Sequence, residues 1–179
     1  MSSLQPAVAA QPRASTIADA YRTVVLEHNR APRRRGRLAV PTLRARGINA
    51  LCGDCLEVDL EFDGERLRGF AFEAEASALT LAATSIMGDL VVGRPLAEVR
   101  ALCEAALDLV TRNPGRAENP ALGDYNAFLG VLGHPNRIKT VTLPWATLAG
   151  ARAGRLATST DIDVRGADAP APPARSPHE

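Results

Sequence analysis

The chain has 179 residues, of which 46% are hydrophobic and 23% charged, a size and composition that fit one domain with one core and short tails. Its formal net charge is +1, so overall charge favours neither nucleic acid, nor a membrane, nor an acidic partner. Three cysteines are too few for a disulfide framework, and no stretch reaches the roughly 18 uninterrupted apolar residues of a membrane span. We therefore expect a cytoplasmic protein without a membrane segment.

Composition divides the chain into one domain and two tails. Residues 1–14 and 154–179 are rich in Ala, Pro and Ser and show no periodicity, so the sequence predicts disorder in both. Residues 15–153 contain no internal repeat and no change of composition. They are predicted to form the single folded unit.

The first elements are a helix and a β-hairpin. Apolar residues at helical spacing predict a helix over residues 17–28, which Pro32 stops. Residues 56–62 then alternate strictly between apolar and acidic, the pattern of a strand with one wet face, and residues 67–74 supply its partner after an Asp-Gly turn. A third strand is predicted over residues 44–51, with arginines facing Glu57, Asp59 and Glu61.

Helices follow the sheet. Ser77 is placed to cap a helix that ends at Gly93, and Pro95 opens the next one. A short helix is predicted over residues 122–132 and a last one over residues 136–151, kinked by its interior Pro144. The order predicts an α+β fold: an N-terminal helix, a small three-stranded antiparallel sheet, then four helices packed on one face.

Basic charge is concentrated in one segment. Residues 29–53 contain seven arginines and no acid. The segment is either a solvated loop bounded by prolines or a docking patch for an acidic partner surface. Nucleic acid is the less favoured partner because no aromatic residue stands between the arginines for bases to stack on. The predicted docking residues are Arg30, Arg33, Arg34, Arg35 and Arg37.

The one short cluster with chemical potential is Cys52-Gly53-Asp54-Cys55. Two thiols at this spacing can ligate a soft metal or form a disulfide, but a closed metal site needs about four donors. A thiol-disulfide enzyme is less favoured, because such motifs sit at helix N-termini and this one precedes a strand. Cys103, in the middle of a predicted helix, has the setting of a small buried hydrophobe.

Four segments in the right order resemble the U-type iron-sulfur cluster assembly scaffolds, and a fifth is similar to the insertion of the SufU-type branch. The segments are YRTVVLEHNRAPRRRG at 21–36, LCGD at 51–54, FEAEASALTLAATSIM at 72–87 and RIKTVTLPW at 137–145, with LGDYNAFLGVLGHP at 122–135 for the insertion. The resemblance implies the α+β fold above, an iron-sulfur cluster or zinc as cofactor, and a cysteine desulfurase or another iron-sulfur assembly protein as partner.

The same resemblance identifies the site residues and two departures from the family pattern. Cys52 and Asp54 match the first ligand motif, whereas Ser77 and Thr140 occupy the positions of the second and third cysteines. Neutral hydroxyls bind zinc or iron poorly, so a stable metal or cluster is not expected. Cys52 is the candidate persulfide acceptor, and Lys139 the candidate assisting charge.

Two functions follow from these residues. The first is an iron-sulfur cluster assembly protein of the scaffold family with a degenerate site, which is not an enzyme in its own right. The second is a non-catalytic binding or regulatory partner of a cysteine desulfurase or of an intact scaffold. Both hypotheses require Cys52, Asp54, Ser77 and Thr140 to converge within a few ångströms, because the kinship depends on that convergence.

Overall fold

A computed structural model describes residues 14–160, so most of the tails predicted for residues 1–14 and 154–179 lies outside the described residues. The elements, in chain order, are α1 (Ala14–Arg30), β1 (Leu43–Asn49), β2 (Asp54–Asp63), β3 (Arg66–Glu75), α2 (Ala78–Val91), α3 (Leu96–Thr111), a 3₁₀ segment (Pro120–Val131), α4 (Pro135–Arg152) and β4 (Ala157–Ser159). The predicted α+β fold is confirmed.

The predicted hairpin forms from β2 and β3. The two strands run antiparallel around a turn in which Gly64 takes a φ of +56°, a conformation that glycine adopts without strain. Val58 stands opposite Phe72 and Leu60 opposite Phe70. All four side chains are buried, so the alternation in the sequence identifies the face of the hairpin that meets the helices.

β1 pairs antiparallel with β2 and brings basic side chains opposite acidic ones. Arg44 faces Asp59 in the register, and its Nε lies 2.7 Å from Asp59 Oδ1. The predicted cross-strand pair is therefore confirmed for Asp59. Glu57 and Glu61 instead pair with arginines from outside β1: Arg37 of the preceding loop and Arg68 of β3.

The sheet has a fourth strand that the sequence analysis missed. Ala157–Ser159 pairs parallel with β1, which makes the sheet mixed, in the order β3-β2-β1-β4. Gly154, with φ +78°, ends α4 in a Schellman motif, in which Arg155 N–H donates to the Gly150 carbonyl and the chain reverses onto β1. The predicted boundary at residue 153 is therefore too early. A three-residue strand is too short to show periodicity.

The helices cover one face of the sheet, and α4 forms the centre of the core. It packs on β1, α2 and α3, while α1 packs on α2 and the 3₁₀ segment. Trp145 of α4 is fully buried and meets the ring of Tyr125 edge-on, with ring centroids 5.6 Å apart. This contact holds α4 against the 3₁₀ segment. No helix within residues 14–160 is long and apolar enough to cross a membrane.

The backbone of β1 lies tightly against α4 at Gly47. A Cβ added there would lie 1.9 Å from Thr147 Oγ1 of α4, a buried side chain that cannot move away freely. Replacement of Gly47 by Ala should therefore lower the free energy of unfolding by about 1–3 kcal/mol in urea denaturation. The matched control is Gly115→Ala, where no atom lies within 4 Å. Equal effects of the two substitutions would contradict the packing described here.

Asp59 makes stability depend on pH. Burial alone would raise the pKa of this carboxyl, but hydrogen bonds from Arg44 and from the Leu38 N–H, with the charge of Arg37, lower it below its ordinary value. A folded-state pKa below the unfolded value gives stability that is complete above the unfolded pKa of about 3.9 and is lost as pH falls through the folded value.

We expect Asp59→Asn to lower the free energy of unfolding at pH 7 by about 1.5–3 kcal/mol, because a buried carboxylate with charged partners is removed. The difference from the wild type should shrink when urea unfolding is repeated at pH 3. Glu61→Gln is the control, since Glu61 and its partner Arg68 lie 3.8 Å apart and are both partly exposed. A loss that stays constant from pH 7 to pH 3 would show that the Asp59 charge does not contribute.

Candidate functional site

The loop between β1 and β2 places Cys52 at the protein surface. Buried Asn49 ends β1 and shapes the turn: its side-chain oxygen accepts from Leu51 N–H at 3.3 Å, and its carbonyl accepts from Gly53 N–H at 2.9 Å. Gly53 has φ +75°, which explains why glycine stands between Cys52 and Asp54. Cys52 is thus exposed on a turn whose backbone is hydrogen-bonded.

Asp54, the first residue of β2, is buried and binds the start of α2. Its Oδ1 accepts from the Ser77 N–H at 2.7 Å, and its Oδ2 accepts from the Ser77 hydroxyl at 2.9 Å and from the Thr80 hydroxyl. Ser77 is the N-cap of α2, but its side chain makes no capping hydrogen bond to that helix; its hydroxyl lies 3.5 Å from Thr80 Oγ1. The carboxylate of Asp54 therefore caps α2 from another element, where the helix dipole favours a negative charge.

These contacts keep Asp54 ionised. Burial raises the pKa of this carboxyl, but hydrogen bonds from Thr80, from Ser77 and from Cys52 more than offset burial and leave the pKa below its ordinary value. At neutral pH the site therefore contains one fixed carboxylate.

The pKa of the Cys52 thiol shifts in the opposite direction, above its ordinary value. Partial burial raises the pKa of its thiol above the ordinary value, and the charge of Asp54 adds to the shift, whereas the Thr140 hydroxyl opposes it. At neutral pH Cys52 is therefore a thiol rather than a thiolate.

Thr140 reaches the site from the first turns of α4. Its Oγ1 lies 3.9 Å from Cys52 Sγ and donates to the Asn136 carbonyl at 3.0 Å. Pro144 has no N–H for the Thr140 carbonyl, and that carbonyl lies 3.4 Å from Thr80 Oγ1 instead. The structure thus brings the β1–β2 loop and the starts of α2 and α4 together around Cys52, Asp54, Ser77 and Thr140.

Thr80 is the member of this cluster that the sequence analysis missed. It is fully buried, bonds Asp54 Oδ2 and lies near the Thr140 carbonyl, so it links all three parts of the site. Its position three residues after Ser77 is the spacing at which an N-cap and the third helical residue face each other. That spacing could have identified Thr80 as a neighbour of Ser77.

Cys55 and Lys139 lie outside the cluster formed by Cys52, Asp54, Ser77 and Thr140. Cys55 Sγ is 3.1 Å from Arg46 Nε on the sheet face away from the helices, among charged side chains of β1, β2 and β3. It does not join Cys52. Lys139 is half-buried and borders a largely apolar cavity of about 530 Å³ between α3 and α4. Its assisting role stays a prediction.

The predicted docking arginines are exposed, and four of the five are ion-paired with acidic residues of the same chain. Arg33 and Arg34 both bind Asp89, at 2.9 Å and 3.0 Å, and Arg33 also binds Glu27. Arg35 pairs with Glu73 and Arg37 with Glu57 and Asp59. Arg30 is exposed at the end of α1. A docking role for these five residues stays a prediction.

The donor set around Cys52 does not fit zinc or an iron-sulfur cluster. It supplies one thiol, one carboxylate whose two oxygens already accept three hydrogen bonds, and the neutral hydroxyls of Ser77 and Thr140. Within residues 14–160, no three His, Cys, Asp or Glu side chains are grouped so that they could share a metal ion. A tightly held metal would need donors from another molecule.

Most of the chain matches one protein family. The model of the NifU-like N-terminal domain matches residues 20–141, which include every residue of the site. The chain belongs to the NifU-like N-terminal domain family.

Curated relatives of this NifU-like chain carry two kinds of name. The iron-sulfur cluster assembly scaffold protein IscU of Streptococcus pyogenes serotype M1 is 31% identical over 150 residues, which cover 81% of this chain and 91% of that protein. The zinc-dependent sulfurtransferase SufU of Bacillus subtilis strain 168 is 28% identical over 128 residues, which cover 72% of this chain and 86% of that protein.

Solved structures share the fold. The N-terminal part of a NifU-like protein from Brucella abortus superposes with a TM-score of 0.68 at 28% identity, covering 76% of this chain and 94% of that one. A putative iron-sulfur cluster assembly scaffold protein for the SUF system from Fervidobacterium islandicum AW-1 gives a TM-score of 0.67 at 25% identity, with 74% and 96% coverage. The NifU-like fold is thus retained around the altered donor set.

Restoring thiols should restore metal binding. Thr140 Oγ1 is 3.9 Å from Cys52 Sγ, close to the spacing of about 3.8 Å between two thiolates on one zinc ion. We expect Ser77→Cys/Thr140→Cys to retain about one zinc ion per chain after dialysis, measured by mass spectrometry of the metal content, and the wild type to retain far less. Adding Cys52→Ala to the double variant is the control and should abolish the gain. Stoichiometric zinc in the wild type would contradict the donor-set argument.

Proposed function

We propose that this protein takes part in iron-sulfur cluster assembly as a sulfur-accepting member of its family, and that it holds neither zinc nor a cluster on its own. One relative is named an iron-sulfur cluster assembly scaffold and another a zinc-dependent sulfurtransferase, so both names refer to proteins that handle sulfur. The observation that carries the proposal is the survival of one exposed thiol, Cys52, in a site where hydroxyls occupy the other ligand positions.

The sulfur source in this proposal is a cysteine desulfurase that carries a persulfide on its own cysteine. Cys52 loses its proton and attacks the outer sulfur of that persulfide. A sulfur-sulfur bond forms on Cys52, the bond within the donor persulfide breaks, and the donor cysteine leaves as a thiolate that takes up the proton. The exchange needs no external oxidant or reductant, because one persulfide replaces another.

The residues around Cys52 have defined parts in this step. The Thr140 hydroxyl lies 3.9 Å from Cys52 Sγ and, by turning its proton away from the Asn136 carbonyl, can donate a hydrogen bond to a thiolate or persulfide there. Asp54 holds the cysteine loop against α2 through its bonds to Ser77 and Thr80. Because its charge disfavours the thiolate, Asp54 is a positioning residue and not the base that removes the Cys52 proton.

The proposal predicts that Cys52 alone receives sulfur. Incubation with a cysteine desulfurase and ³⁵S-cysteine should label the wild type, and Cys52→Ser should lose nearly all of the protein-bound label because the acceptor is removed. Cys55→Ser should keep the label, since Cys55 faces Arg46 on the other side of the sheet. Cys103→Ser should also keep it, because burial raises the pKa of that thiol to about 12.

Other results decide between the two functions. Label that persists in Cys52→Ser would reject sulfur acceptance at this site. Desulfurase binding in a pull-down that is equally strong for wild type and Cys52→Ser, without any label transfer, would favour the non-catalytic binding partner. Loss of both binding and label in Cys55→Ser would contradict the assignment of Cys52.

A further inference from the structure

The arginines that the sequence concentrates are largely neutralised within the fold. Those at positions 33, 34, 35, 37 and 44 each lie within 4.0 Å of a carboxylate of this chain. Only arginines whose charge is not balanced by a neighbouring acid can form a basic surface that attracts a partner.

Three such arginines line one groove. Arg22 of α1, Arg116 of the loop after α3 and Arg137 of α4 border a cavity of about 480 Å³. Among the residues that the structure describes, no acidic side chain lines it. Within residues 14–160, none of the three forms an ion pair. The groove therefore brings together unbalanced positive charge from three separate parts of the sequence.

The rest of the groove is apolar. Ala18, Val25, Leu26 and the ring of Tyr21 supply its apolar surface, and Leu26 has 47% of its surface exposed. Gly130 lies against Tyr21: an added Cβ would be 3.4 Å from Tyr21 Cδ2. Arginines beside an apolar surface match a ligand that carries both carboxylates and an apolar side chain.

We propose that this groove binds an acidic segment of a partner protein, with an apolar side chain of that segment on the apolar surface and its carboxylates on Arg22, Arg116 and Arg137. Residues 1–13 of this chain are unsuited to the groove, because they contain one arginine and no acid. Single-stranded nucleic acid fits less well, because the one aromatic ring of the lining, Tyr21, is packed edge-on against Phe128.

One residue of the groove lies on the same helix as a residue of the Cys52 site. Arg137 precedes Thr140 by one turn of α4, a spacing that puts the two residues on the same side of the helix. A partner bound in the groove would therefore contact the helix that carries Thr140. This inference does not require that Cys52 accept sulfur, since the groove contains no residue of the proposed sulfur-transfer step.

The test measures binding of two labelled peptides by fluorescence anisotropy at low and physiological salt. The charged probe is fluorescein-labelled Glu-Leu-Glu-Glu-Leu-Glu, and the neutral probe replaces each Glu by Gln. We expect the charged peptide to bind wild type about tenfold more tightly than the neutral one, and its affinity to fall as salt increases. Equal binding of the two probes, or no binding of the charged one, would refute the proposal.

Matched variants localise the binding. Arg116→Gln/Arg137→Gln should weaken binding of the charged peptide about tenfold, and Leu26→Ser should weaken it severalfold. The control Arg152→Gln/Arg155→Gln removes the same charge from exposed arginines outside the groove and should have less than about a twofold effect. Urea unfolding midpoints verify that each variant is folded.

Two more measurements complete the test. Equal weakening by the two double variants would overturn the assignment to this groove, as would tighter binding of an oligothymidylate than of the charged peptide. Cys52→Ser should bind the charged peptide like the wild type. That result separates the groove from the proposed sulfur transfer, because either can fail without the other.

Discussion

The carboxylate of Asp54 is the constraint on which the site depends. It is buried at the start of β2 and accepts hydrogen bonds from the backbone and hydroxyl of Ser77 and from the hydroxyl of Thr80. Those contacts cap α2 and hold the loop that carries Cys52 against the helix layer. Thr80 extends the same contacts towards the start of α4, so one side chain fixes the relative positions of three elements.

This hydrogen-bonded network can replace a metal only in its structural role, which is to hold the loop in place. A closed zinc site contributes about 10–16 kcal/mol to folding, whereas a hydrogen bond to a charged group contributes about 1.5–3 kcal/mol. Several such bonds suffice to position a loop, but carboxylate and hydroxyl oxygens are hard donors that hold a soft ion poorly. The family fold therefore persists here around a site that contains one exposed thiol and one hydrogen-bonded carboxylate.

Much of the fold could be predicted from the sequence, because the decisive patterns were local. The alternation around Val58 and Leu60 identified the hairpin and its buried face, and Gly93 and Pro95 marked the boundary between two helices. The strand β4 was missed because its three residues are too few to show a period, and because its pairing with β1 is made by residues more than 100 positions apart in sequence.

The site was only partly predictable, for the same reason. Resemblance to a family identified Cys52, Asp54, Ser77 and Thr140, but the hydrogen bond that makes Thr80 part of the network exists only after α2 packs against β2. The basic groove could not be predicted from the sequence at all, because its residues come together only when separate elements pack. In the sequence the arginines of residues 29–53 stand out, whereas folding pairs most of them with acids and assembles unbalanced charge from Arg22, Arg116 and Arg137.

Thermal unfolding of the wild-type protein with added zinc, and again with a zinc chelator, tests the central claim most directly. A ligand that binds the folded state raises the melting temperature as its concentration increases. If hydrogen bonds to Asp54 hold the site without a metal, equimolar zinc and excess chelator should both leave the melting temperature unchanged. A rise of several degrees with zinc that the chelator reverses would show that the site still binds the metal, and would contradict the account.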